Sequence, residues 1–218
     1  MKKLLSAILV FTCLSANAGG SFEAAQYLGF GYFPGTSNLT QSSSGKLPTN
    51  FRKPIYISNC MEMGFRYQFL HNSERTFCMS LSVPLQMGIT YTNGPSKSEA
   101  HNIVAFSLNV PAYLTANYGL GSTKKAANQS YGLYFSAGAS LNRSFVKDRE
   151  YEFEVEGGGT EKMKYVYPWI PALNVNFGFR FQQKDKDIPT GLGINTVVGK
   201  DGMWFAGLTY SAIGNFGR

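Results

Sequence analysis

Residues 77–92 alternate strictly between apolar side chains and small or uncharged polar ones. A β-strand repeats every two residues and so places all the apolar side chains on one face, whereas a helix would scatter them. The opposite face carries no charge, although strand faces in water usually carry Lys, Glu or Arg. The pattern therefore predicts a wall strand of a transmembrane β-barrel, with lipid outside and a hydrogen-bonded interior. The predicted outward side chains are Phe77, Met79, Leu81, Val83, Leu85, Met87, Ile89 and Tyr91.

The same alternation recurs along the rest of the chain and gives eight strands in all. An even number of strands puts both chain ends on one side, as in single-chain bacterial barrels. The predicted fold is all-β: an eight-stranded, antiparallel, up-and-down transmembrane β-barrel. The other seven strands are predicted at residues 28–32, 61–69, 104–118, 131–142, 165–182, 192–198 and 204–210. In the sixth of these eight strands, Tyr165, Tyr167 and Trp169 are predicted to point outward.

The connections between these strands predict which end of the barrel faces outside. Residues 34–54, 93–101 and 147–162 are long or highly charged and are predicted as outer loops, the last with room for a hairpin extension. The segments 71–76 and 183–189 are predicted as inner turns. Two connections fit this rule poorly, because 119–129 is long for an inner turn and 199–202 is short for an outer loop. Proline cannot donate to a strand ladder, so bulges or strand exits are predicted at Pro84, Pro111, Pro168 and Pro171.

Composition and the N-terminal segment agree with an exported barrel. Charged residues make up 15% of the chain, aromatic residues another 15%, and 24 residues are glycine. Residues 1–18 have a basic start, a short apolar core and an Ala-Asn-Ala cleavage site, which predict a signal peptide before a single domain at 19–218. Basic residues are dispersed despite a formal charge of +7, so a nucleic-acid partner is not expected. Cys60 and Cys78 are expected to be free thiols, because the predicted hairpin register keeps them beyond disulfide reach.

Several segments resemble a known family. They are the signal peptide, the run Ser80-Leu81-Ser82-Val83-Pro84-Leu85, the run Phe135-Ser136-Ala137-Gly138 and the last strand, Phe205-Ala206-Gly207-Leu208-Thr209-Tyr210. With these features the chain resembles the small outer-membrane β-barrel proteins of Gram-negative bacteria, of OmpA or OmpX size, and the outer-membrane β-barrel domains of Bacteroidetes. The last strand is similar to the signal read by the barrel-assembly machinery, except that eight residues follow Tyr210. The resemblance implies the fold and a cell outer-membrane location, with lipid and lipopolysaccharide as surroundings.

Three charged residues, Glu62, Arg66 and Arg180, fall on the predicted inner face. As a buried ion-pair cluster they would plug the lumen, because an unpaired buried charge is costly. The alternative is that they lie solvated near a barrel mouth. On the outer face, Tyr91, Trp169 and Trp204 are predicted to form aromatic girdles at the membrane interfaces.

The expected function is non-enzymatic: a barrel with a filled lumen that acts through its outer loops in adhesion, envelope integrity or a membrane assembly with a protein partner. One alternative is a soluble, lipocalin-like barrel around an apolar ligand, with the faces reversed. Another is an outer-leaflet lipid A-modifying enzyme, for which His101, Ser98 and Glu99 are the nearest candidate trio, without a family motif. No Cys/His spacing predicts a metal, and no glycine-rich loop predicts a nucleotide cofactor.

Overall fold

The structure, a computed structural model, describes residues 21–35, 38–39, 46–97, 102–123, 126, 129–146, 149–182 and 188–215. Among the residues described, no helix is long and apolar enough to cross a membrane. The strands are β1 Ser21–Tyr32, β2 Ile55–His71, β3 Phe77–Ser82, β4 Leu85–Asn93, β5 Asn102–Gly119, β6 Tyr131–Ser144, β7 Arg149–Glu154, β8 Thr160–Tyr165, β9 Ile170–Phe181, β10 Thr190–Gly199 and β11 Trp204–Asn215.

The strands form a closed ring of antiparallel neighbours. β3 and β4 together occupy one position between β2 and β5, and the remaining order is β5, β6, β9, β10, β11 and β1. The ring closes because β1 pairs with β11 on one side and with β2 on the other. In the described part of the chain the barrel wall therefore has eight strand positions, with β3 and β4 sharing one. The strands β7 and β8 form a separate hairpin. The predicted eight-stranded, up-and-down barrel, which the family resemblance also implies, is confirmed.

Two prolines separate β3 from β4 in the middle of the barrel wall. The pairings on either side of the break keep one register, which places Pro84 directly opposite Pro111 on β5. Neither residue has an N–H to donate, so the ladder is interrupted without any shift. The predicted bulge or strand exit at these two prolines is therefore wrong. The register does shift elsewhere, between Gln68 and Leu70 on β2. On the other side of Pro84, the absence of a side chain at Gly64 leaves room for the proline, since a Cβ there would lie 2.5 Å from its Cα.

The wall strands turn their apolar side chains outward and their polar side chains inward. Phe106 is 48% exposed and Leu133 is 50% exposed on the outer face, while Ser80, Thr115 and Asn117 are buried inside. The predicted orientation is therefore confirmed. It is opposite to that of a lipocalin, in which the apolar side chains converge on the interior.

The two ends of the barrel differ in structure. Four connections, including the hairpin β7–β8, lie at one end, which we call the long-loop end; the connections after β2, β5 and β9 lie at the other, the turn end. The predicted hairpin extension within 147–162 is confirmed and continues to Tyr165. The outward orientation predicted for Tyr165 and Tyr167 is wrong, because both are buried in an apolar cluster over the barrel mouth. The alternating pattern continues through these residues, but the chain enters the wall only at Ile170.

Candidate functional site: the barrel interior and its loop cap

Two buried arginines meet at the turn end of the lumen. Arg66 and Arg180 are each 1% exposed, and their guanidinium groups donate to the same acceptor, Asn117 Oδ1, at 2.9 and 2.7 Å. Arg180 also forms an ion pair with Glu23 at 3.2 Å. The shared amide oxygen and the carboxylate offset part of the cost of burying two like charges side by side.

The connection after β5 folds into the lumen and completes this end. Its residues Leu120 and Ser122 are fully buried, and the carbonyl of Gly121 accepts a 2.6 Å hydrogen bond from Arg66. The Cys78 thiol donates to the carbonyl of Ser122 at 2.8 Å. The length of this connection, too great for a simple inner turn, is thus explained by an inward fold. We call Arg66, Arg180, Asn117 and residues 120–123 the arginine floor.

Glu62 lies inside the barrel but outside the arginine floor. Its carboxylate accepts a 2.5 Å hydrogen bond from Gln86 Nε2 and a second one from the Tyr27 hydroxyl. Within the described part of the chain it forms no ion pair. The structure therefore brings Arg66 and Arg180 together and leaves Glu62 in a separate polar network nearer the middle of the barrel.

The sequence analysis did not single out Asn117 of the arginine floor or Glu23, the ion-pair partner of Arg180. Glu23 was missed because the first strand was predicted from residue 28, whereas β1 begins at Ser21. The alternation of the strand predicted at 104–118 puts Asn117 on the inner face, but nothing in the pattern separates it from the other inward polar residues. Only the closure of the ring brings β1, β5 and β9 close enough for these side chains to meet.

Above the Glu62 network, a cavity lies in the long-loop half of the barrel. We call it the upper cavity. Aromatic rings line its upper part: the Phe33 ring lies 4.6 Å from Tyr56 and 5.2 Å from Tyr167, and Tyr56 stacks on Phe205 at 5.7 Å. Its polar lining includes Ser58, Thr90, Ser107, Asn109 and Asn195.

The loop cap covers this end of the barrel; we define it as the described parts of residues 33–54 and 145–169. The first segment runs along both edges of the hairpin, with Thr49 N donating to Glu154 O at 2.8 Å and Val166 N donating to Asn38 O at 2.9 Å. Tyr165 is fully buried and donates to the carbonyl of Pro34 at 2.6 Å. Burial raises the pKa of this tyrosine well above its usual range, so its hydroxyl remains a donor at all physiological pH values. The buried side chains of the cap, such as Tyr151 and Phe153, form one apolar cluster with residues of the barrel wall, such as Tyr56 and Phe205.

The three predicted interfacial aromatics all lie near the long-loop end of the wall. Tyr91 is 53% exposed near the end of β4, Trp169 is 42% exposed just before β9, and Trp204 begins β11. The Trp204 ring contacts Phe30 at 5.6 Å, and the Arg143 guanidinium lies 5.7 Å from the Trp169 ring centre. Their membrane-interface role stays a prediction.

The remaining sequence candidates give no metal site within the described residues. Ser98, Glu99 and His101 lie outside the described residues, as does the predicted signal peptide. Cys60 and Cys78 are free thiols, as predicted. Among the described residues, no group of three or more His, Cys, Asp or Glu side chains could hold a metal ion.

Comparison with known proteins identifies similar solved structures only. No family model matches the chain, and no curated protein matches it. The chain is similar to neisserial surface protein A, at 14% identity over 91% of this chain and 97% of that one, with a TM-score of 0.45. It is also similar to Ail, the attachment invasion locus protein of Yersinia pestis, at 12% identity over 89% of this chain and 97% of that one, with a TM-score of 0.42. The fold assignment rests on the closed strand pairing of this chain itself.

Proposed function

We propose that the chain is an integral protein of the Gram-negative outer membrane, non-enzymatic, with a closed lumen, and that it acts through its loop cap. The observation that carries the proposal is the apolar exterior of a closed ring. Side chains such as Phe177, Leu173 and Ile194 are 53%, 68% and 57% exposed on neighbouring wall strands. A water-soluble protein rarely exposes so continuous an apolar surface, whereas a lipid-spanning barrel requires one.

A closed ring also satisfies the backbone in lipid. Each wall strand pairs on both sides, so the sheet has no open edge to leave N–H and C=O groups unpaired in hydrocarbon. Together with the predicted signal peptide, this supports export followed by insertion into the outer membrane, which involves the barrel-assembly machinery and contact with lipid and lipopolysaccharide.

The loop cap supports a binding role at the cell surface. Its hairpin turns Tyr151 and Phe153 into the apolar cluster and exposes Glu152 and Lys162 as a cross-strand pair on the opposite face. A charged face held above the membrane suits recognition of another macromolecule in adhesion or in a membrane assembly. The arginine floor closes the other end, which favours a binding role over an open pore.

Epitope accessibility on intact cells tests the location and the orientation together. One epitope is inserted between Gly158 and Gly159, where no other atoms would meet an added Cβ, and a matched one between Ser73 and Glu74 at the turn end. Antibody should bind intact cells only for the hairpin insertion, and both chains should fractionate with the outer membrane. Labelling of the turn-end epitope alone would reverse the orientation, and recovery of both chains in a soluble fraction would refute the membrane proposal.

The binding role needs its own experiment. A variant in which residues 150–164 are replaced by a short Gly-Ser connection should still insert into the outer membrane but should lose the adherence, or the protein complex on native gels, that we expect of the full chain. If adherence, the complex and envelope integrity were all unchanged in this variant, the loop cap would not be required for the function.

A further inference from the structure

The outer face of the barrel wall carries a hydrogen-bonded pair of amides. Gln26 on β1 and Asn59 on β2 both point outward and are exposed, and Gln26 Nε2 donates to Asn59 Oδ1 at 3.1 Å. We call these two side chains the amide pair. Apolar side chains lie above and below it on the same face, namely Phe22, Ala24, Leu28 and Phe30 on β1 and Ile55, Ile57, Met61 and Met63 on β2. The amide pair therefore interrupts an otherwise apolar part of the exterior.

The depth of the amide pair makes its polar groups costly in a lipid surrounding. Gln26 is the sixth of the 12 residues of β1, so each end of that strand is roughly 15–20 Å away along its axis. A glutamine side chain is too short to reach the headgroup region from there. In hydrocarbon, a polar group without a hydrogen-bond partner is unfavourable, because no water is present to replace the missing partner.

The hydrogen bond within the amide pair leaves one acceptor and one donor group over. It engages one N–H of Gln26 and the side-chain oxygen of Asn59, and within the described residues the Gln26 oxygen and the Asn59 amide nitrogen have no partner. An amide nitrogen donates and an amide oxygen accepts, so these two groups complement the same two groups of a second copy of the chain.

We propose that the protein forms a two-fold symmetric dimer within the membrane, in which β1 and β2 of one copy face β1 and β2 of the other. Two copies inserted in the same direction are related by an axis along the membrane normal, so their amide pairs lie at the same depth. Asn59 of each copy then donates to the Gln26 oxygen of the other copy, and both leftover groups gain a partner. The proposal rests on the membrane location proposed above.

The side chains beside the amide pair allow the two walls to approach. Ala24 on β1 and Ala212 on β11 are paired across the strands on the turn-end side of Gln26, and both point outward. Small residues of this kind permit the close approach that hydrogen bonds between protein segments in lipid require. Leu28 and Met61, which are 57% and 60% exposed in the single chain, flank the amides and supply apolar contact area.

Photocrosslinking of the full chain in isolated outer membranes tests the interface. A benzophenone amino acid replaces Leu28 beside the amide pair or, as the matched control, Phe135 on β6, which is 48% exposed on the opposite side of the ring. Irradiation should give a product of twice the chain mass for the first position only. A product with a different protein at Leu28, equal dimer from both positions, or dimer from neither would overturn the proposal. Since only membrane-inserted chains are scored, such a failure leaves the membrane location intact.

Sedimentation equilibrium of the purified full chain in density-matched detergent measures the strength of the dimer. Asn59→Leu should weaken dimerisation about tenfold or more, because both hydrogen bonds across the two-fold axis lose their donor. The control is Thr196→Val, which replaces another outward polar side chain, on β10, and should leave the dissociation constant unchanged. A monomeric original chain, or equal dissociation constants for the original chain and Asn59→Leu, would refute the proposed contact.

A steric variant keeps the test decisive if Asn59→Leu fails to fold. Ala24→Trp adds a bulky side chain beside the amide pair and should give monomers, whereas Ala137→Trp, at an outward alanine of β6, should still dimerise. Dimers of equal strength in the two variants would place the interface elsewhere and overturn the proposal. Unfolding at high lipid dilution reports the single chain instead, in which Asn59→Leu removes a lipid-exposed amide.

Discussion

Asn117 is the residue on which the turn end of the barrel depends. One amide oxygen accepts from two guanidinium groups that would otherwise face each other without an acceptor between them. Its amide nitrogen donates to Ser80 Oγ at 3.1 Å, which fixes the orientation of the side chain. Hydrogen bonds to charged groups contribute more than neutral ones, so this single position has an unusually large effect on stability.

We expect Asn117→Leu to destabilise the barrel by about 3 kcal/mol, since two buried guanidinium groups each lose a charge-assisted hydrogen bond. Urea unfolding in lipid vesicles, followed by tryptophan fluorescence, measures the change. The control is Asn59→Leu, on the outer face of β2, where the side chain is exposed and accepts a hydrogen bond from Gln26. That variant should be as stable as the original or more so, and equal losses in the two would contradict the role of Asn117.

The role of Arg66 in closing the turn end of the lumen can be tested separately. Arg66→Ala removes the donor to the carbonyl of Gly121, so the inward-folded connection loses its anchor at this point. We expect single-channel recordings in planar bilayers to show openings that the original chain lacks. Arg75→Ala, at an exposed turn arginine, is the control and should stay closed. Silent recordings from Arg66→Ala would mean that other contacts alone close the floor.

At the scale of elements, the hairpin β7–β8 leaves the wall and forms a separate two-stranded sheet. Its alternation is the same as that of a wall strand, but its inner face contacts the first loop and the barrel mouth instead of a lumen. The turn at its tip contains three consecutive glycines with φ of +85°, +86° and +99° at Gly157, Gly158 and Gly159. Left-handed backbone of this kind favours glycine, because an added Cβ crowds the following carbonyl.

Gly158→Ala should therefore weaken the hairpin by about 1–2 kcal/mol through backbone strain alone. Gly35→Ala is the matched control, since neither position would bring an added Cβ within 4 Å of a neighbour and only Gly158 has a positive φ. Amide hydrogen exchange in β7 and β8 should accelerate for the first variant and not for the second. Equal exchange in the two variants would show that the tip tolerates the side chain.

At the scale of the whole molecule, the inside-out distribution of side chains determines where the protein can be stable. Burying apolar surface stabilises a protein only against another apolar medium, and here that medium lies outside the ring. The wall strands line the interior with buried Ser, Thr, Asn and Arg side chains, which specify the polar lumen rather than supply the bulk of the stability.

The cost of a charge on the outer face should depend on its depth along the wall. Val175→Arg, in the middle of β9, should destabilise the barrel by about 2–4 kcal/mol, whereas Tyr131→Arg, at the first residue of β6, should cost about 0–1 kcal/mol. Equilibrium unfolding in lipid vesicles compares the two. The same cost at both positions would indicate that no hydrocarbon layer surrounds the wall.

The sequence by itself determined the central part of each of the eight wall strands and which face of each strand points outward. Alternation with a period of two is a local property, so residues 77–92 or 131–142 could be interpreted without any knowledge of their neighbours. The same locality explains the errors: Tyr165 and Tyr167 continue the pattern of β9 although the chain there belongs to the cap, and Pro84 looks like a bulge until Pro111 is found opposite.

Tertiary structure alone decided which side chains contact each other inside the barrel. Glu23, Asn117 and Arg180 lie on three different strands, and only ring closure places them within hydrogen-bond distance. The inward fold of residues 120–123, the cavity beneath the cap and the separation of Glu62 from the arginines are likewise contacts between distant parts of the chain. Periodicity specifies the face of a strand, whereas such contacts depend on register and on the order of strands around the barrel.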